Sequence, residues 1–149
     1  MTVEPIPDGY HTVTPYLVIQ GAGKVIEFAK RAFGAKERMC VPGPNGTIGH
    51  AEIEIGDSVV MLADMDERQN LMPAMVHLYM EDVDAVYARA IEAGGKSIQE
   101  PKDQFYGDRN AGVQDPAGNK WYISTHVEDV SPDEMERRVA QAVAQAGTR

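Results

Sequence analysis

Residues 49–64 read GHAEIEIGDSVVMLAD, and residues 112–125 read GVQDPAGNKWYIST. In the first stretch Ala51, Ile53 and Ile55 fall on one side and His50, Glu52 and Glu54 on the other. That is the period-two pattern of a half-buried strand. Gly56-Asp57 then turns the chain into residues 58–63, a second short apolar strand. The later stretch is built alike, around the turn Asp115-Pro116-Ala117-Gly118-Asn119. Both read as β-hairpins. They also sit in a longer repeat. A slide of 61 positions places Leu17 on Leu78, Val25 on Val86, Ala29 on Ala90, Gly34 on Gly95 and Gly46 on Gly107.

Outward from the hairpins, the order of elements repeats too. Residues 12–19 (TVTPYLVI) form a strand, with Pro15 suited to its early part or to an edge. Residues 24–33 carry Val25, Ile26, Ala29 and Phe33 at helical spacing, and Gly34 stands where a C-terminal cap is expected. Residues 37–41 predict a strand, and the PGPNG at 42–46 predicts a turn. In the second half, residues 75–80 form a strand and Asp82 heads a helix with Val83, Val86, Ala90 and Ile91 facing inward. Residues 96–99 predict a strand, 101–108 a long loop, 110–114 a strand and 120–126 the last strand. Beyond the repeat, Ser131, Pro132 and Glu134 predict a capping box. The helix that follows, to about residue 146, has an apolar stripe of Met135, Val139, Ala142, Val143 and Ala146. Such a helix is expected to pack on its own domain or on a partner subunit.

These spans divide the chain into an N-terminal arm (1–11), a first βαβββ module (12–64), a linker (65–74), a second βαβββ module (75–127) and a C-terminal helical extension (128–149). The fold class is α+β, with cupped mixed sheets. At 149 residues and 43% apolar composition there is enough to build a core. No apolar run approaches the roughly 18 residues of a membrane span, and the start lacks a signal-peptide pattern. A cytoplasmic protein is expected. Cys40 is the only cysteine, so neither a disulfide framework nor a cysteine-rich zinc site is expected. The net charge of −9 argues against nucleic acid, whose binding needs cations to replace phosphate counterions. An acidic field of this kind would attract a cationic ligand.

Taken in order, the YHTVTPYLVI opening, the first hairpin, the DQFYGDR loop at 103–109 and the DPAGN turn resemble the vicinal oxygen chelate superfamily. It includes glyoxalase I, extradiol dioxygenases and bleomycin-resistance proteins, and the likeness is greatest to the PhnB-like branch. The resemblance spans residues 12–127. It implies that each module curls into a half-open cup, that paired modules enclose a ligand cavity, and that the protein is a homodimer. Thr14, Tyr16, Met61, Met75, His77, Tyr122 and Ser124, with His50 and Glu52, are expected on the cup face. Val76, Leu78, Met80, Trp121 and Ile123 are expected against the helix.

In metal-binding members four ligands come from the first and last strands of the modules. The resemblance assigns those places here to Thr14, Met61, Met75 and Tyr122. A hydroxyl, two thioethers and a phenol are not the imidazoles and carboxylates that hold a catalytic divalent ion. No cofactor is therefore expected. A zinc or nickel ion held by His50, Glu52 and His77 is the alternative. The same three side chains are the candidates for acid–base catalysis. His11 and His126 are expected at the surface. In the loop, Gln104, Tyr106 and Arg109 offer an amide, a stacking ring and a guanidinium fork, with Gly107 for a bend. The competing reading pairs Arg109 with Asp103 or Asp108.

The leading expectation is a small-molecule-binding protein that sequesters a drug-like or metabolite ligand through Tyr16, Met61, Met75, His77, Gln104, Tyr106, Arg109 and Tyr122. Methionine and aromatic walls suit a partly apolar ligand. The alternatives are a lyase, isomerase or dioxygenase with a non-standard metal or a metal-free acid–base pair, and a dimeric interaction module.

Overall fold

The computed structural model describes residues 3–65 and 73–147. The expected linker at 65–74 therefore falls largely outside the described residues. The first module runs β1 (Tyr16–Ile19), α1 (Ala22–Phe33), β2 (Lys36–Pro42), β3 (Ile48–Ile55) and β4 (Ser58–Asp64). The second runs β5 (Met75–Tyr79), α2 (Val83–Glu92), β6 (Lys96–Asp103), β7 (Asp108–Gln114) and β8 (Lys120–His126), and α3 (Pro132–Ala146) follows. Strand orders are β1-β4-β3-β2 and β5-β8-β7-β6. In each sheet the first strand pairs parallel with the last, and the other pairs are antiparallel. These are two tandem βαβββ modules with mixed sheets, an α+β fold.

Several boundaries differ from expectation, each for a physical reason. β1 starts at Tyr16, not residue 12, although the Pro15 carbonyl still accepts from Met61 N at 2.9 Å. α1 starts at Ala22, two residues early, because Asp64 caps it from β4. Its carboxylate accepts from Gly21 N (3.0 Å), Ala22 N (2.9 Å) and Ile48 N (2.7 Å). A cap supplied 42 residues away is invisible to local pattern. β6 continues through Pro101 to Asp103, where a loop was expected. It is an edge strand, so the missing N–H of Pro101 costs no ladder bond. β7 likewise starts two residues earlier, at Asp108, which leaves 104–107 as the loop. Gly107, at φ 100°, lets that loop tuck under the chain, since a Cβ there would stand 2.3 Å from the Glu128 carbonyl oxygen.

One core serves both modules. Leu17, Ile53 and Leu62 from the first sheet and Ala111, Trp121 and Ile123 from the second bury with the inner faces of α1 and α2. Val76, Leu78 and Met80 pack against it as the alternation predicts. The helices meet each other, with Arg31 donating to the Glu92 carbonyl at 3.0 Å, and α1 reaches the second sheet, where the Phe33 and Trp121 rings lie 5.0 Å apart. Ile91 departs from expectation and is exposed, because the inward stripe of α2 is Val83, Val86 and Ala90. With both helices in the middle, the opposite face of each sheet looks outward.

α3 starts as predicted on Ser131, whose hydroxyl accepts from Glu134 N at 3.3 Å. The Glu134 carboxylate is engaged by Arg137 and Arg138. None of the helix's residues is buried, and Val139 and Val143 are exposed. Arg138 ties it to its own chain through the Phe105 carbonyl (2.9 Å) and Glu128 (2.7 Å).

Candidate ligand-binding site

The pleat fixes which side chains share the outer face of the first sheet. Tyr16 stands beside Met61, Met61 beside Glu52, and Glu52 beside Met39, one row across four strands. His50 lies on the same side of β3 as Glu52. The Tyr16 hydroxyl is 2.9 Å from His50 Nδ1, and His50 Nε2 is 2.9 Å from Glu52 Oε2. The other oxygen of Glu52 accepts from the Tyr10 hydroxyl. Glu52 is buried, yet the hydrogen bonds from Tyr10 and His50 hold it below the ordinary carboxylate range, outweighing burial. The same bond to Glu52, with burial, raises Tyr10 above an ordinary phenol. An ionised carboxylate accepts only, so the neutral His50 ring carries its proton on Nε2 and accepts the Tyr16 proton at Nδ1.

The second sheet repeats the row with other groups. His77 stands beside Tyr122, Tyr122 beside Gly112, and Gly112 beside Gln99. Gly112 leaves the seat for the Tyr122 ring, since a Cβ there would stand 2.8 Å from it. His77 Nε2 is 2.8 Å from the hydroxyl of buried Ser124. Asn110 gathers the loop: it accepts from Gln99 (2.8 Å) and Gln104 (3.0 Å) and donates to the Tyr106 hydroxyl (2.8 Å). At the start of β7, buried Asp108 accepts from the Tyr79 hydroxyl (2.8 Å) and pairs with His126 Nδ1 (2.8 Å). Burial pushes Asp108 up, but the bonds from His126 and Tyr79 win and hold it low. Asp108 and Asp129 together raise His126.

Residues 11–123 match the Glyoxalase/Bleomycin resistance protein/Dioxygenase superfamily. The chain belongs to that superfamily. Uncharacterized proteins of Mycobacterium bovis and Mycobacterium tuberculosis are 36% identical over 135 residues. The match covers 83% of this chain and 89% and 79% of those proteins. The fold is similar to TioX from Micromonospora sp. ML1, with a TM-score of 0.67 at 24% identity, covering 78% of this chain and 99% of that one. It is also similar to TnmS3, described as an antibiotic binding protein, from Streptomyces sp. CB03234. That likeness has a TM-score of 0.63 at 24% identity over 78% of this chain and 95% of TnmS3. A superfamily enzyme from Burkholderia phytofirmans PsJN gives 0.62 at 17%, over 80% of this chain and 98% of that one.

The metal expected of catalytic superfamily members does not fit the residues present. At the four assigned places stand Thr14, just ahead of β1, Met61 on β4, exposed Met75 on β5 and Tyr122 on β8. A hydroxyl, two soft thioethers and a phenol do not make the hard oxygen and imidazole set of a hydrolytic or isomerising centre. The alternative trio is not assembled within one chain either. His50 and Glu52 lie on β3, while His77 lies on β5 of the other sheet, bonded to Ser124. Among the described residues no three His, Cys, Asp or Glu side chains stand together as a metal site.

Among the candidates, then, Tyr16, Met61, His50 and Glu52 share the first face, and Met75, His77, Tyr122, Gln104 and Tyr106 belong to the second sheet and its loop. Arg109 is already engaged: Asp84 grips it at 2.8 and 2.9 Å and Asp103 at 3.2 Å. Of the two expected partners, Asp103 or Asp108, Asp103 is the one in reach, and Asp84 of α2 is a further partner the sequence did not indicate. His126 is exposed as expected, but it is tied to Asp108 and Asp129. Sequence reasoning passed over Tyr10 and Tyr79 and read Asp108 only as a partner of Arg109; the register of β3 and β7 brings Glu52 and Asp108 to the partners they have.

A further opening of about 950 Å³ lies between the modules. Val13 and Pro15 ahead of β1, the β3–β4 turn, β5 and the first turns of α2 line it. β1 and β5 are each the outer strand of their sheet, so the unpaired edge of β5 faces this opening.

Proposed function

We propose that the protein is a cytoplasmic homodimer of the PhnB-like type that binds and sequesters a partly apolar small molecule, of antibiotic kind, without a catalytic metal. The observation that carries this reading is the pair of outer faces. Threonine, methionine and tyrosine occupy the places where the superfamily's metalloenzymes carry ligands, and much of that surface is open. Tyr16 is 46% exposed and Met75 and Tyr79 are each 66% exposed. Apolar surface of this kind on a folded domain marks an interaction site.

Among the described residues each cup has one wall, the outer edges of β1 and β5 are unpaired, and that of β5 faces the opening between the modules. A second copy placing its second module against the first module of this one would cover both edges and close the cup. TnmS3 supplies a precedent in the fold for binding an antibiotic. The net charge of −9 would draw a cationic compound toward the protein.

Thermal-shift measurements against a panel of antibiotics, bleomycin included, test the reading. A compound should raise the melting temperature of the wild type and do so less in Tyr122→Ala. A panel without any shift would contradict it.

One observation favours an acid–base enzyme instead. Tyr16, His50 and Glu52 form a relay in which the Tyr16 oxygen can take a proton from a bound molecule while its own proton passes to His50. The resulting imidazolium faces the Glu52 carboxylate. Conversion of a bound compound, lost in His50→Gln with binding kept, would establish that reading.

A further inference from the structure

The N-terminal arm touches the first face at one point. Residues 3–13 are exposed throughout, except Tyr10, which is half-buried. A turn sets that side chain inward: Tyr10 N donates to the Pro7 carbonyl at 3.0 Å, and Gly9 takes φ +83°. The Tyr10 hydroxyl then donates to buried Glu52, and the Arg38 guanidinium sits 5.0 Å from the centre of the Tyr10 ring. Arg38 also holds the Asp8 carbonyl at 3.2 Å. A flat ring with one hydroxyl, seated between a carboxylate and a guanidinium, is the arm's one side-chain plug in this face, and the Arg38–Asp8 bond steadies it.

We propose that this end of the face is a binding site for a neutral hydroxyl-bearing aromatic group, a phenol, whose place Tyr10 of the chain's own arm fills. The inference rests on the ligand-binding reading above and names the chemistry at one end of that cup. Charge decides the class. A cationic group would meet the guanidinium of Arg38 beside the carboxylate. An anionic group would meet Glu52, which its hydrogen bonds keep ionised. A neutral O–H satisfies the free oxygen of Glu52 with a charge-assisted bond, among the stronger kinds. The aromatic face satisfies Arg38 through a cation–π contact, which an aliphatic alcohol cannot make. The arm is otherwise exposed, so a ligand that takes the seat displaces the Tyr10 side chain and loosens the Arg38–Asp8 bond beside it.

Tyr10→Gly removes the phenol and leaves its seat, and p-cresol is the tyrosine side chain without its backbone. NMR titration of Tyr10→Gly with p-cresol, followed at the His50 ring, should give binding about tenfold tighter than to toluene, as one charge-assisted bond is worth, and about threefold tighter than to 4-methylcyclohexanol, which lacks the aromatic face. Binding to the wild type should be weaker, because Tyr10 competes. Adding Glu52→Gln to the glycine variant should abolish the preference over toluene. Equal affinity for p-cresol and toluene, or equal affinity of wild type and variant for p-cresol, would overturn the proposal. Where Tyr10→Gly does not fold, Tyr10→Ala is titrated instead; if neither folds, Tyr10 is a structural part and the proposal falls. Failure of p-cresol with a thermal shift from the antibiotic panel removes this site and keeps the cup, whereas failure of both removes both.

Discussion

Tyr16 and His77 hold the same place in the two modules, two residues after Thr14 and Met75 and each beside the last strand of its sheet. Their surroundings have little else in common. In the first module the phenol reaches His50, which a buried carboxylate on the same strand orients. In the second the imidazole reaches Ser124, and the buried carboxylate is Asp108, at the start of its strand and bound to Tyr79 and His126. The inner faces, by contrast, pool into a single core. The repeat therefore preserves what the backbone and core require, while the outer faces carry the chemistry and have gone separate ways. A ligand enclosed by one face of each kind would meet an acid–base relay on one side and amides and aromatics on the other.

The largest asymmetry that can be tested lies in the core. Trp121 is fully buried and touches Phe33 of the other module; Val60 holds the corresponding place in the first sheet. Trp121→Ala should cost about 3–5 kcal/mol and Val60→Ala about 1–2 kcal/mol in urea unfolding, in proportion to the apolar volume removed. Equal losses would mean that Trp121 is not the joint between the modules.

The two hairpin turns come next. Buried Asp115 accepts from Ala117 N, Asn119 N, Asn119 Nδ2 and Trp121 Nε1 at 2.8–3.0 Å. Its counterpart in the first hairpin, exposed Asp57, accepts from Ser58. Asp115→Ala should destabilise by about 3 kcal/mol, because it strands buried donors; Asp57→Ala should stay within about 0.5 kcal/mol.

A smaller contrast concerns pH. His126 is raised from 6.5, so its stabilisation is complete below that value and is lost as pH rises through the higher folded value. Asp108 is lowered from 3.8, so its contribution is complete above that value and is lost as pH falls through the folded one. The pair therefore stabilises most between about pH 4 and 6.5. His126→Gln should weaken the protein in that window and leave it nearly unchanged at pH 9, read by urea unfolding at pH 5.5 and 9. A loss of the same size at both pH values would show that the ring acts by packing alone.

Local pattern was enough for most of the fold. The alternation in β3 and the stripes of α1 and α2 arise within a few residues, as do the Ser131 cap and the DPAGN turn. What escaped depends on distant partners. Asp64 caps α1 from β4, and the edge position of β6 makes Pro101 harmless within a strand. The site was legible as a set of faces, since period two places Tyr16, His50, Glu52 and Met61 together. Its bonding was not. Whether Arg109 meets a ligand or Asp84, and whether Glu52 is reached by Tyr10, depends on how α2 and the arm lie across the strands.

Native mass spectrometry of protein purified without chelator, before and after titration with the antibiotic panel, bears most directly on the central claim. The account predicts a dimer that gains the mass of a small organic molecule and carries no stoichiometric transition metal. A dimer with one zinc, nickel or iron per cup, lost in His77→Ala, would contradict it.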